Sequence, residues 1–271
     1  MLALMKACHP GPTLVVTATG CALAAMVGRG PGGTLLVGAA VLTGQLSIGW
    51  SNDWIDRVRD RATRRSDKPL AGGSFAPRVV AVAAFAALAL CVPLSLASGV
   101  LAGAVHLVAV ACGWLYNVRL KASPVSPLPF AVAFGLLPAF VTLGLPGGPW
   151  PAWWALAAGA LLGMGAHFAN VLPDIADDVA LGVRGLPHRL GPTTARLGAA
   201  VLLVAASVLI ALAPGDRGGV VSVAGLVAVA LVLAGGLVGA RRSVRRAAFG
   251  VTLGVAVIDV TMFVAQGGSL V

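Results

Sequence analysis

Nine aspartates are the only acidic residues in the chain, and there is no glutamate. Most fall in two stretches. The first runs Asn52-Asp53-Trp54-Ile55-Asp56-Arg57-Val58-Arg59-Asp60, with Asp67 beyond it, and the second runs Asn170-Val171-Leu172-Pro173-Asp174-Ile175-Ala176-Asp177-Asp178. Carboxylates are costly in a strongly apolar chain and tend to be kept there for function. Mg²⁺ takes oxygen ligands, usually one or two carboxylates, and leaves positions for water and phosphate oxygens. Two aspartate sets about a helix diameter apart therefore suit more than one Mg²⁺ around a diphosphate. Cations stand beside them. Arg64, Lys68, Lys121, Arg184 and Arg189 are candidate clamps, since guanidinium forks bind phosphate oxygens in pairs and lysine acts as a point charge. Tyr116, the only tyrosine, precedes Asn117 and Lys121. Its ring or hydroxyl would lie near the diphosphate or a developing cation.

These residues need helices to place them. Gln45, Gly49, Asn52, Asp53, Asp56 and Asp60 recur at helical spacing and form one polar stripe. His167, Asn170, Asp174 and Asp178 form another, with Pro173 expected to kink the helix between Asn170 and Asp174. Two facing stripes make a polar pocket at the mouth of a helix bundle.

The bundle is membrane-spanning. Of 271 residues, 58% are hydrophobic and 10% charged, and the mean hydropathy is +0.95. A hydrocarbon core of roughly 30 Å needs about 20 apolar residues per helix. On that basis the sequence is read as roughly nine spans, over about 12–28, 33–52, 77–97, 100–117, 128–146, 150–172, 193–213, 219–239 and 247–265. The long unbroken runs oppose a β-barrel. No linker breaks the chain, so residues 1–271 are expected to form a single transmembrane domain.

The net charge of +10 is distributed in a way that argues against nucleic acid as a partner. After the second span come Arg57, Arg59, Arg61, Arg64, Arg65, Lys68 and Arg78; after the fourth, Arg119 and Lys121; after the sixth, Arg184, Arg189 and Arg196; after the eighth, Arg241, Arg242, Arg245 and Arg246. The opposite loops hold Arg29 and Arg217. The positive-inside rule then puts the N-terminus and both aspartate sets on the cytoplasmic side, and an odd span count leaves the C-terminus outside. Cys8, Cys21, Cys91 and Cys112 show no metal-binding spacing and read as packing residues. His106 reads as hydrogen-bonded packing; Asp259, within a span, is expected to be neutral or to line the cavity.

Taken together, the motifs resemble those of the UbiA superfamily of intramembrane prenyltransferases. Asn52-Asp53-x-x-Asp56-x-x-x-Asp60 with Lys68-Pro69-Leu70 resembles its first signature. Asp174-x-x-x-Asp178 with Gly182, Arg184, Leu186 and Leu190-Gly191 resembles its second. Tyr116-Asn117-x-x-Leu120-Lys121 resembles the motif between them. The resemblance implies a bundle of nine helices around a central cavity, and Mg²⁺-dependent transfer of an isoprenoid from its diphosphate to an acceptor, usually aromatic, as in quinone biosynthesis. By matched position, Asn52, Asp53, Asp56, Asp174 and Asp178 would hold the metals, and Asp60 ends the first signature. Asn170, on the second stripe, joins that set. Loss of Asp53, Asp56, Asp174 or Asp178 would abolish catalysis. Lys68, Lys121 and Arg184 would contact the diphosphate, together with Arg64 and Tyr116. The sequence departs from the family at Gly185, where many members have Thr, and at Lys6-x-x-His9-Pro10, where many carry Arg-Pro.

The other classes explain less. A cation-coupled transporter keeps intramembrane aspartates but does not account for paired DxxxD sets among phosphate-binding cations. A phosphatidyltransferase of the CDP-alcohol type opens its signature with Asp-Gly, which is absent from the sequence. A terpene cyclase on the same fold is the nearest alternative.

Overall fold

The computed structural model describes residues 2–62, 76–213, 219–239, 250–251, 254–255, 257–262 and 270–271. Its described elements are helices: α1 (Leu2–Ala7), α2 (Pro10–Met26), α3 (Gly30–Ala62), α4 (Pro77–Leu96), α5 (Val100–Val118), α6 (Leu128–Thr142), α7 (Trp153–Val171), α8 (Ile175–Ala180), α9 (Leu186–Leu212) and α10 (Gly219–Gly239). Short 3₁₀ turns at Leu120–Ala122 and Leu172–Asp174 follow α5 and α7. Residues 257–262 are also helical. Prolines sit in the first turn of α2, α4 and α9, where the missing N–H would have no helical partner.

Six helices are long and apolar enough to cross a membrane, and α2 and α6 are shorter apolar helices. The expected count of about nine is thus not reached among the described residues, and most of the ninth span, 247–265, lies outside them. Burial follows membrane logic. Large apolar side chains such as Leu35 (73% exposed) and Val100 (78%) face outward, while Ser47, Ser51, His106, Asn117 and His167 are buried between helices.

α3 runs on past residue 52, as the helical spacing of its aspartates implies; its 33 residues extend about 50 Å, more than the roughly 30 Å of a hydrocarbon layer, and carry Asp56 and Asp60. Two other helices depart from the sequence reading. α7 ends at Val171, and Pro173 turns the chain through a 3₁₀ segment into α8. The second stripe is therefore broken between Asn170 and Asp174. α9 starts before the expected span and bends at Gly191, whose φ of 78° falls where a side chain would be strained.

The helices pack in a ring of neighbours, α2 on α3, α3 on α4 and α5, α5 on α6, α6 on α7, α7 on α9 and α9 on α10. The α6–α7 contact depends on Gly159 and Gly163. A Cβ on them would lie 2.5 Å from the Phe134 carbonyl oxygen and 2.3 Å from that of Phe130, so the backbones meet as closely as small-xxx-small spacing permits. The ring encloses a cavity of about 320 Å³ lined from α2, α3, α5, α6, α7, α9 and Val260.

Candidate active site at the aspartate end of the bundle

The cavity is apolar in its depth, where Val16, Phe134, Leu137, Leu162 and Leu203 form the wall. At one end it turns polar, with His9, Asn52, Tyr116, Asn117 and Asn170. Gln45 lies on the same face of α3 as Asn52, seven residues deeper.

Asn117 locks this end together. Its amide nitrogen, at the close of α5, donates to the Ile48 carbonyl and the Ser51 hydroxyl, each at 2.9 Å. Its carbonyl oxygen accepts from Asn52 Nδ2 at 3.2 Å, and the same Asn52 nitrogen donates to Asp56 Oδ2 at 3.2 Å. Asp56 is buried and carries two cations. Lys121 Nζ binds Oδ1, and Arg59 Nη2 lies 2.7 Å from Oδ2. Burial pulls the Lys121 ammonium below the ordinary lysine range, and the Asp56 carboxylate works against that shift. Asp53 is 1% exposed, with His9 Nε2 3.4 Å from its Oδ1. Asp60 is also buried, and Lys121 feels its charge.

The second set arrives from the other side of the ring. Asp178 Oδ2 accepts from His188 Nε2 at 3.0 Å, across the turn that joins α8 to α9. Tyr116 is close enough to both Asp56 and Asp178 to feel their charges. Tyr116 thus lies within electrostatic reach of one aspartate from each set. Tyr116 packs edge-on against Phe130 (4.9 Å between centroids) and His167 (5.4 Å). Asp174 is half-buried and Asn170 exposed at the cavity end; Asp177 is exposed, as is Arg184, whose carbonyl accepts from Arg189 Nε at 2.8 Å. Arg64, Lys68 and Asp67 lie outside the described residues.

The donor set suits Mg²⁺. Carboxylate and amide oxygens from Asn52, Asp53, Asp56, Asp60, Asn170, Asp174 and Asp178 are hard ligands, with no thiolate among them. Among the described residues no three His, Cys or Asp side chains converge to hold a metal alone.

Three participants were not singled out from sequence. His188 was passed over within a basic loop, and His9 appeared only as a departure from a pattern. Arg59 was counted as a topology residue, although its i, i+3 spacing from Asp56 was there to be read. His106 is the hydrogen-bonded packing residue expected. Its Nδ1 lies 2.7 Å from Ser95 Oγ, and its ring stacks on Phe140.

The sequence matches the model of the UbiA prenyltransferase family over residues 13–258. No curated protein sequence matches it. Several solved structures share the fold. A UbiA homolog from Aeropyrum pernix K1 is 20% identical, with 92% of this chain and 96% of that one covered and a TM-score of 0.75. A UbiA homolog from Archaeoglobus fulgidus, bound to GPP and Mg²⁺, is 19% identical over 97% and 99% of the two chains, with a TM-score of 0.72. A digeranylgeranylglyceryl phosphate synthase is 17% identical over 99% and 98%, with a TM-score of 0.68.

Proposed function

Because the chain belongs to the UbiA prenyltransferase family, we propose that it transfers an isoprenoid chain within the membrane from a prenyl diphosphate to an electron-rich acceptor, aromatic by preference. The observation that carries this reading is the polarity of the cavity: a long apolar wall ends where Asn52, Asn117 and Tyr116 meet two aspartate sets and Lys121. Its volume lies at the lower end of the roughly 300–1,000 Å³ of small-molecule sites. The Archaeoglobus fulgidus relative binds GPP and Mg²⁺, and the aspartates here are the ligands such a pair calls for.

In this reading Asn52, Asp53, Asp56, Asp60, Asn170, Asp174 and Asp178 would hold Mg²⁺, which would supply positive charge to the diphosphate oxygens as they depart. Lys121 and Arg59, already at Asp56, supply further positive charge to that leaving group, and Arg64, Lys68 and Arg184 add to it. Departure of the diphosphate leaves an allylic cation at C1 of the chain. The faces of Tyr116 and Phe130 attract that cation. The apolar wall keeps water away, so the acceptor carbon, rather than hydroxide, supplies the electron pair. The acceptor then releases a proton, and its π system is restored.

The test is an assay of purified protein with prenyl diphosphates of several lengths, Mg²⁺ and a panel of phenolic and alcohol acceptors, read by mass spectrometry. A coupled product that requires both Mg²⁺ and acceptor is expected. Rapid formation of a cyclic hydrocarbon or alcohol from the diphosphate alone would replace the transferase with a cyclase. No product with any donor would sink both.

A further inference from the structure

The second aspartate segment is short, and its buried Leu172 and Ile175 pack against Phe168 of α7 and Ala195 and Ala199 of α9. The 3₁₀ turn Leu172–Asp174, α8 and the turn to α9 carry Asp174 and Asp178. The polar tie on its far side comes from the start of α9, whose first turn holds His188 against Asp178. The first amides of any helix lack intrahelical partners, and a side chain at the N-cap usually accepts from them. Here the N-cap is Gly185, which has no side chain to offer.

A residue from elsewhere takes that place. The Leu186 amide donates to Ser126 Oγ at 3.0 Å, and Ser126 belongs to the loop that leads into α6. The same hydroxyl lies 3.1 Å from His167 Nε2 on α7. Both Ser126 and His167 are fully buried, at 0% exposure. One hydroxyl therefore ties together the α6 leader, α7 and α9. Gly185 is what lets it approach. A Cβ there would lie 2.6 Å from the Lys121 carbonyl oxygen and 2.8 Å from Ser126 Oγ. The backbone of Lys121, whose ammonium holds Asp56, is thus pressed against the residue that starts α9.

We propose that Ser126, braced by His167, is the N-cap of α9 supplied from another part of the chain, and that it is a positioning residue which sets the Asp178 segment against the Asp56–Lys121 pair. The consequence for diphosphate rests on the reading of the site as a Mg²⁺–diphosphate site; the cap itself does not.

The experiment compares the full-length protein with Ser126→Ala in two measurements. Backbone amide hydrogen exchange over residues 181–190 reads the cap, and thermal-shift titration with Mg²⁺ and inorganic pyrophosphate reads the position of the two aspartate sets. Ser126→Ala should speed exchange in that stretch about tenfold and raise the half-saturating pyrophosphate concentration by a similar factor. Unchanged exchange overturns the cap. Faster exchange with unchanged pyrophosphate affinity overturns the positioning role. If wild-type protein ignores Mg²⁺ and pyrophosphate, the diphosphate reading fails with the positioning role, and exchange alone decides the cap. Should Ser126→Ala not fold, Ser126→Cys, which keeps the volume but accepts weakly, is read in the same two ways, with smaller shifts expected and unchanged values again decisive.

Discussion

Asp56 receives Lys121, Arg59 and Asn52 at once, so its removal leaves two cations uncompensated and would take a ligand from the proposed metal site. We expect Asp56→Ala to lower kcat by at least a hundredfold while the protein still folds in detergent. Loss of a charge-stabilising contact is worth several kcal/mol, and about 1.4 kcal/mol is tenfold. Asp53→Ala and Asp178→Ala should behave alike. Asp177→Ala should stay within about threefold, because a neighbour on a helix points about 100° away and Asp177 is exposed. An essential Asp177 beside a dispensable Asp178 would shift the second motif by one residue. EDTA should abolish product formation with every donor, and coupling that survives it would count against the metal assignment. At this scale the aspartates were legible because residue type and spacing alone state their chemistry. Their partners were not. His188 and Ser126 matter through tertiary contacts that no local pattern encodes, and Gly185 was visible only as a departure until the nearby Lys121 carbonyl gave it a reason.

The elements set how far such residues can be moved. α6 and α7 touch backbone to backbone at Gly159 and Gly163, and α6 carries Phe130 and Phe134 to the cavity wall. A side chain at Gly163 must push the helices apart. Overpacking of this kind costs about 1–3 kcal/mol or more, so Gly163→Val should lower the thermal midpoint in detergent by several degrees. It should also raise KM for the donor, since Phe130 would shift. An unchanged midpoint would show that the interface has slack. Helix existence was legible from hydropathy, because about 20 apolar residues in a row have few other uses. Helix ends were less so. The extension of α3 to Ala62 is polar and charged, and hydropathy falls silent there although the helical spacing of its aspartates does not. The break after α7 was foreshadowed by Pro173, but whether a proline bends a helix or ends it depends on what the freed backbone meets next. The expected spans over 12–28 and 128–146 correspond to the shorter apolar helices α2 and α6, and most of 247–265 lies outside the described residues.

Among the described residues, the charged side chains are unevenly shared between the two ends of the bundle. The aspartate end gathers Arg59, Lys121, Arg184 and Arg189, and α1 with Lys6 docks there through Trp50 Nε1, which donates to the Leu4 carbonyl at 2.9 Å. The far end holds Arg29, whose guanidinium donates to the Val141 carbonyl near the close of α6. Arg29 is thereby used for capping and adds little to the bias. On the positive-inside rule we propose that the aspartate end faces the cytoplasm, where a diphosphate donor and Mg²⁺ would be met. Substituting Cys8, Cys21, Cys91 and Cys112 leaves a background for single reporters. In that background Ala122→Cys, exposed beside Lys121, and Pro146→Cys, exposed in the turn between α6 and α7, sit at opposite ends. A membrane-impermeant maleimide added to intact cells should label Pro146→Cys and spare Ala122→Cys until the membrane is opened. Labelling of both from outside would sink the two-sided placement of the bundle. The reverse pattern would keep the bundle and invert it, so that donor and metal would reach the site from the outer face.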